Sequence, residues 1–184
     1  MRRVDFEIDV SALKAVAYEL AASEKQVQYA MSRALNRVAA TLRVRSSVLL
    51  KDKLELRRVS ALRKRLKTLK FRKGRQSGDI RVWFGLNDMP ISWFKGAPKK
   101  TEKGAVFRGK HYPGAFIAKS HYANKTILKR VGSERLAIEE QLFPVQERAQ
   151  NLIEDHVLVG WEELFWEAFC RDLKARVRYN IGEK

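Results

Sequence analysis

Ser23-Glu24-Lys25-Gln26-Val27-Gln28-Tyr29-Ala30-Met31-Ser32-Arg33-Ala34-Leu35-Asn36-Arg37-Val38-Ala39-Ala40-Thr41-Leu42 decides the fold class. It opens with a Ser-x-x-Gln capping box, in which the serine hydroxyl accepts from the Gln26 amide and the glutamine side chain accepts from the Ser23 amide. Val27, Ala30, Met31, Ala34, Leu35, Val38 and Leu42 then recur at the spacing of one helical face. No Pro or Gly occurs from Met1 to Phe71, so no backbone breaker stops a helix there. A long helical first half follows.

Upstream, Phe6-Glu7-Ile8-Asp9-Val10 alternates apolar and polar residues with the period of a strand. Ser11 then offers an N-cap for a helix carrying Leu13, Val16, Ala17 and Leu20 on one face. Downstream, Leu56, Val59, Leu62, Leu66 and Leu69 predict a third helix from about Leu54 to Leu69. Arg57, Arg58, Arg63, Lys64, Arg65, Lys67 and Lys70 occupy its remaining surface, a cationic ridge opposite an apolar seam. Part of that ridge can be packing, because long basic stems cover apolar surface.

From Phe71 onward, glycines punctuate short runs of strand-forming residues. Asp79–Phe84, Ala105–Arg108, Ala115–Ala118 and Lys125–Val131 predict an antiparallel sheet of about four strands with basic loops. Pro98–Gly104 reads as an exposed, mobile loop. After Pro144 the helical period returns, over Val145–Val157 and again from Trp161 to about Tyr179. The last helix has a wide apolar arc including Trp161, Trp166 and Leu173. Either it is deeply buried or that flank meets another subunit. The fold class is therefore α+β, a single domain over 1–184. Helices fill 1–70, a small mostly antiparallel sheet 71–143, and C-terminal helices packed on it 144–184.

The 184 residues are 45% apolar and carry 38 Lys and Arg against 21 Asp and Glu, a net charge of +17. That balance excludes an acidic disordered protein and argues against a freely diffusing neutral metabolic enzyme. It calls for a polyanion or an acidic protein surface as partner. The charge is concentrated. Residues 33–75 hold 16 basic and two acidic side chains, and 134–184 hold seven basic and 11 acidic. A single cysteine, Cys170, excludes a disulfide framework and any zinc site built on cysteine pairs. The N-terminus lacks a signal-like apolar stretch, and no window is apolar enough for a membrane span.

Catalytic signals are missing. His111, His121 and His156 follow no metal-ligand spacing, and neither a phosphate loop, a dinucleotide turn nor a serine nucleophile motif occurs. Glu139 and Glu140 are adjacent and would point to opposite faces of a strand. No cofactor or metal site is expected. Zinc-finger, RRM and helix-turn-helix signatures are also lacking. A ridge of Lys and Arg without Asn or Gln suits phosphate contact that is sequence-independent and salt-sensitive.

Pro113-Gly114-Ala115-Phe116-Ile117 follows a basic loop and precedes a strand ending at Arg130-Val131-Gly132. Ahead of it lie the long helix and the Lys/Arg-dense segment; after it come Leu136-Ala137-Ile138-Glu139 and a Pro-led helical region. This order resembles the bacteriophage tail completion proteins, the minor tail protein Z family, over nearly the whole chain. Leu86–Phe94 and the Trp-rich last helix depart from it. By itself the motif is a turn, with Pro113 fixing φ and Gly114 permitting a tight corner.

The resemblance implies a non-enzymatic, prophage-encoded virion protein, present in host cytoplasm during assembly. It would act at the head-proximal end of the tail, in tail completion or head–tail joining. Partners would be other tail and neck proteins, further copies in a ring, and phage DNA through nonspecific contact, with no membrane. The basic face would meet either DNA or an acidic neighbouring subunit. The alternative is a stand-alone, sequence-nonspecific DNA-binding protein; a nuclease lacks its acidic metal cluster. The ridge predicts that Arg63→Glu with Lys64→Glu harms particle function while leaving folding intact. Plating efficiency and a thermal melt check this, and wild-type infectivity would remove the ridge from the mechanism.

Overall fold

Asp9, rather than Ser11, caps the first helix, because its carboxylate accepts from the amides of Ser11 (2.8 Å) and Ala12 (3.3 Å). The predicted strand accordingly ends sooner. In a computed structural model of the chain, β1 (Arg3–Glu7) leads into α1 (Val10–Glu19) and then α2 (Glu24–Lys53). The structure describes residues 3–63, 65–66, 72–73, 79–83, 87–119, 124–132 and 137–182, with only the backbone course for 3–7, 63, 72–73 and 79–83. Short α3 (Ser60–Arg63) follows α2. Next come β2 (Arg72–Lys73), β3 (Asp79–Trp83), β4 (Met89–Pro90) and a single 3₁₀ turn at Ile91–Trp93. The hairpin strands are β5 (Lys99–Thr101), β6 (Gly104–Phe107) and β7 (Lys110–Pro113). After them come β8 (Ala115–Lys119), β9 (Lys125–Arg130), β10 (Ile138–Glu140) and β11 (Leu142–Phe143). The chain closes with α4 (Gln146–His156) and α5 (Trp161–Arg178). The fold is α+β.

The capping box at Ser23 forms as the sequence predicts. Along α2, Ala30, Ala34, Val38 and Leu42 are buried, with Val27, Met31 and Leu35 half-buried beside them. Helix α5 packs along α2 and contributes Phe165, Phe169 and Leu173 to the same core. Polar groups fix the register of the two helices. Asp172 bridges Arg176 (2.7 Å) and Arg33 (3.2 Å), and the buried Gln26 amide reaches the Arg176 carbonyl at 3.4 Å.

The third helix does not form as predicted. Helix α2 ends at Lys53, Glu55 takes the left-handed conformation (φ +52°), and the Leu56 amide reaches back to the Lys51 carbonyl at 2.8 Å. That is a Schellman ending. Among the described residues of the 54–69 stretch only the one turn of α3 is α-helical, and Leu69 lies outside them. Leu54, Leu56, Leu62 and Leu66 are all buried nonetheless. The predicted helix is thus interrupted over 54–59, while the described leucines of its apolar seam are inside.

The expected single sheet is, among the described residues, four small antiparallel ones: β1-β3-β2, β10-β9-β8, β11-β4 and β5-β6-β7. Strand β1 pairs with β3 from Arg3↔Trp83 to Glu7↔Asp79, so the N-terminus closes a sheet with the middle of the chain. The predicted loop at 98–104 is a hairpin, Lys99 opposite Val106 and Thr101 opposite Gly104. Gly104 (φ +149°) is obligatory there, because a Cβ would lie 2.3 Å from the Tyr112 carbonyl oxygen. Tyr112 is pushed up to about 12, mainly by burial and secondarily by Asp88, so its hydroxyl stays protonated and donates to the Leu142 carbonyl at 3.0 Å.

Among the described residues no helix is long and apolar enough to cross a membrane. Of the three side chains assigned to a subunit interface, Trp161 and Leu173 belong to the chain's own core and only Trp166 is half-buried. The wide apolar arc is filled by an aromatic cluster, Phe165 stacked on Phe169 at 5.8 Å with Trp166 edge-on to both. Leu173→Ala is expected to cost about 2–5 kcal/mol in urea denaturation, whereas an interface leucine would leave the monomer's stability unchanged.

Candidate functional site: an arginine–tryptophan pocket

Two backbone links bring distant segments together just beyond the end of α2. Leu56 forms a β-bridge with Phe94, and the Arg57 amide donates to the Trp93 carbonyl at 2.8 Å. Arg57, Arg58 and Arg65 line an open pocket of about 440 Å³ together with Trp93, Ser92 and Asn124; Ser60 and Ala61 also border it.

The guanidiniums differ in how they are held. Arg57 is exposed and spends one N–H on the Gly96 carbonyl at 3.0 Å. Arg58 is exposed and has no partner among the described residues. Arg65 is half-buried, donates to the Asn87 carbonyl at 2.8 Å and lies 5.3 Å from the Trp93 ring centre. Burial lowers the Arg65 pKa and Asp88 raises it in part; an arginine remains charged at any physiological pH.

The turn that carries Trp93 is itself anchored. The Glu140 carboxylate accepts from the Ser92 amide at 2.8 Å and from the Thr126 hydroxyl at 2.5 Å. It thereby ties the 3₁₀ turn carrying Trp93 to β9. Asn124, the residue before β9, directs its amide to the Ser92 carbonyl at 3.5 Å. Beyond Asn124 the surface is basic. Lys125 is opposite Lys119 in register, and Lys129 lies on the same sheet face. With Lys99, Lys100 and Lys103 they are exposed and lack ion-pair partners among the described residues.

Of the seven predicted ridge residues, Arg57, Arg58 and Arg65 therefore meet in one pocket. Arg63 sits in α3 with its side chain outside the described set, as are Lys64, Lys67 and Lys70 altogether. The Pro113–Ile117 motif turns the chain from β7 into β8. Gly114 has φ +70° there, and Ala115 is buried, Ile117 half-buried and Phe116 42% exposed. Trp93, Asn124 and Glu140 carried no chemical signal of their own in the sequence. Among the described residues no group of three or more His, Cys, Asp or Glu is placed to hold a metal ion.

No protein-family model, curated protein or solved structure matches this chain.

Glu140→Ala strands the Ser92 amide and the buried Thr126 hydroxyl, each worth about 1–3 kcal/mol when left unpaired. Chemical denaturation should show a loss of about 2–4 kcal/mol. Glu140→Gln retains an acceptor oxygen and should recover most of it.

Proposed function

We propose that this chain is a non-enzymatic virion protein of a tailed phage or prophage, acting in tail completion or head–tail joining at the head-proximal end of the tail. The observation that carries the reading is a set of exposed cations with no ion-pair partner among the described residues. Arg58 and the lysines of β5, β8 and β9 lie on short strands and turns pinned by backbone bonds, and no described carboxylate neutralises them. A surface of this kind contributes nothing to the fold and costs self-repulsion. It becomes favourable against a fixed negative neighbour. The element order around Pro113–Ile117, with its resemblance to minor tail protein Z, supplies the identity of that setting. Repetition around a tail would multiply weak contacts from each copy.

The second reading, a stand-alone DNA-binding protein without sequence preference, rests on the same lysines. In it the charge would track phosphates alone. Particles made without the chain separate the two. Electron microscopy should show tails of normal length that fail to join heads, with joining restored by adding the purified protein. Fully infectious particles, or failure of the chain to sediment with tails, would overturn the virion role.

A further inference from the structure

We propose that the pocket formed by Arg57, Arg58 and Trp93 takes one nucleotide of a single-stranded polynucleotide. In this arrangement the phosphate lies on the two arginines and the base against the indole. The inference deepens the proposed role by naming the ligand of its basic face. A chain that joins tails without binding oligonucleotide overturns only this inference. One that binds oligonucleotide yet is absent from particles overturns only the role.

Two features favour a nucleotide over a simple anion. First, the pocket's lining brings the Trp93 indole together with the Arg57 and Arg58 guanidiniums. A base presents a π-face to such a ring whatever its identity, and the adjoining phosphate accepts from a guanidinium fork. An acidic peptide would satisfy the arginines but leave the indole uncovered. Secondly, the size is right: about 440 Å³ lies in the range of small-ligand pockets and encloses one nucleotide rather than a helix. A duplex keeps its bases stacked inside and can offer this concavity only its backbone.

The donors are prearranged. Arg57 is tethered by the Gly96 carbonyl, leaving four N–H groups without a protein partner among the described residues. Arg58 offers all five. The indole is held by the Glu140 bond to Ser92 and by the cation of Arg65 over the ring, so little side-chain freedom is lost on binding. The groove between α2 and α5 is a weaker candidate, because Arg33 and Arg171 there are already matched to Asp172 and Glu167.

Fluorescence anisotropy of a labelled 15-nucleotide oligothymidylate tests the proposal, with the same-length duplex and polyglutamate as competitors. Trp93→Leu should weaken single-strand binding about 10-fold or more, the size of one lost base stack, while leaving duplex binding and the salt slope unchanged. Arg58→Glu should weaken binding and reduce the slope of log K against log salt by about 0.7 or more, one phosphate contact on a single strand. Polyglutamate should compete poorly. Unchanged affinity in folded Trp93→Leu overturns the proposal, as does duplex or polyglutamate binding as tight as the single strand. If Trp93→Leu does not fold, Arg58→Ala decides instead. Its side chain is exposed and has no partner among the described residues, and wild-type affinity and slope there overturn the proposal equally.

Discussion

Arg108 holds the two halves of this molecule together. It occupies the turn between β6 and β7 in a left-handed conformation (φ +47°). Its guanidinium donates to the carbonyls of Leu54 (3.1 Å) and Lys95 (3.2 Å) and to the Glu55 carboxylate (2.6 Å). The same group lies 5.3 Å and 5.4 Å from the ring centres of Phe94 and Phe107. A cation here meets the negative end of α2 and one of its orphan carbonyls. The ion pair alone is partly solvated and worth little; the carbonyl bonds and ring contacts give it consequence. Because Glu55 is fixed, Leu56 can bridge to Phe94, and because Leu56 is fixed, Arg57 and Trp93 meet.

This explains how strands of two to six residues support a defined site. Isolated hairpins of that length are marginal in water. Here the aromatic triad Phe94, Phe107 and Phe143, with centroids 5.3–6.1 Å apart, backs the sheets where Arg108 covers them. Glu140 then connects the β8–β9–β10 sheet to the turn that carries Trp93. Half-buried polar groups thus do for the sheets what the Asp172 and Gln26 contacts do for the helices. They choose one arrangement among several that would bury similar apolar area.

The start of α2 was legible because capping and periodicity are local properties of a few residues. Its end was not. Glu55 adopts a conformation usually given to glycine, and the same ending recurs at Ala21 (φ +48°) after α1 and Asn180 (φ +51°) after α5. At Glu55 the local preference for continuing the helix loses to bonds from Arg108 and Lys95, which lie 40 or more residues away. Burial survived that error: Leu56, Leu62 and Leu66 are inside whether or not the chain is helical, because transfer from water does not depend on period. The Lys99–Thr101 segment misled in the opposite sense. Its charges suggest a loop, yet lysines are common on edge strands, where they discourage pairing with other chains. Arg57 and Arg58 were visible from charge alone. Trp93 was not, since it joins the same site through contacts between segments distant in sequence, the Leu56–Phe94 bridge and the Arg57–Trp93 bond.

The distribution of charge bears on why the basic face exists. Along α5, cations and anions are interleaved and several are paired, one of them with a cation of α2, as at Arg33, Asp172 and Arg176. Over residues 95–132 ten basic side chains stand against one carboxylate, Glu102. Solubility would be served as well by mixed signs, with less repulsion. A set of like charges fixed on short strands raises the free energy of the folded chain relative to the expanded one. Any polyanion bound across that set removes the repulsion and, by linkage, stabilises the fold that presents it. The exposed charges and the scaffold that presents them are therefore coupled in energy: whatever neutralised the one would stabilise the other.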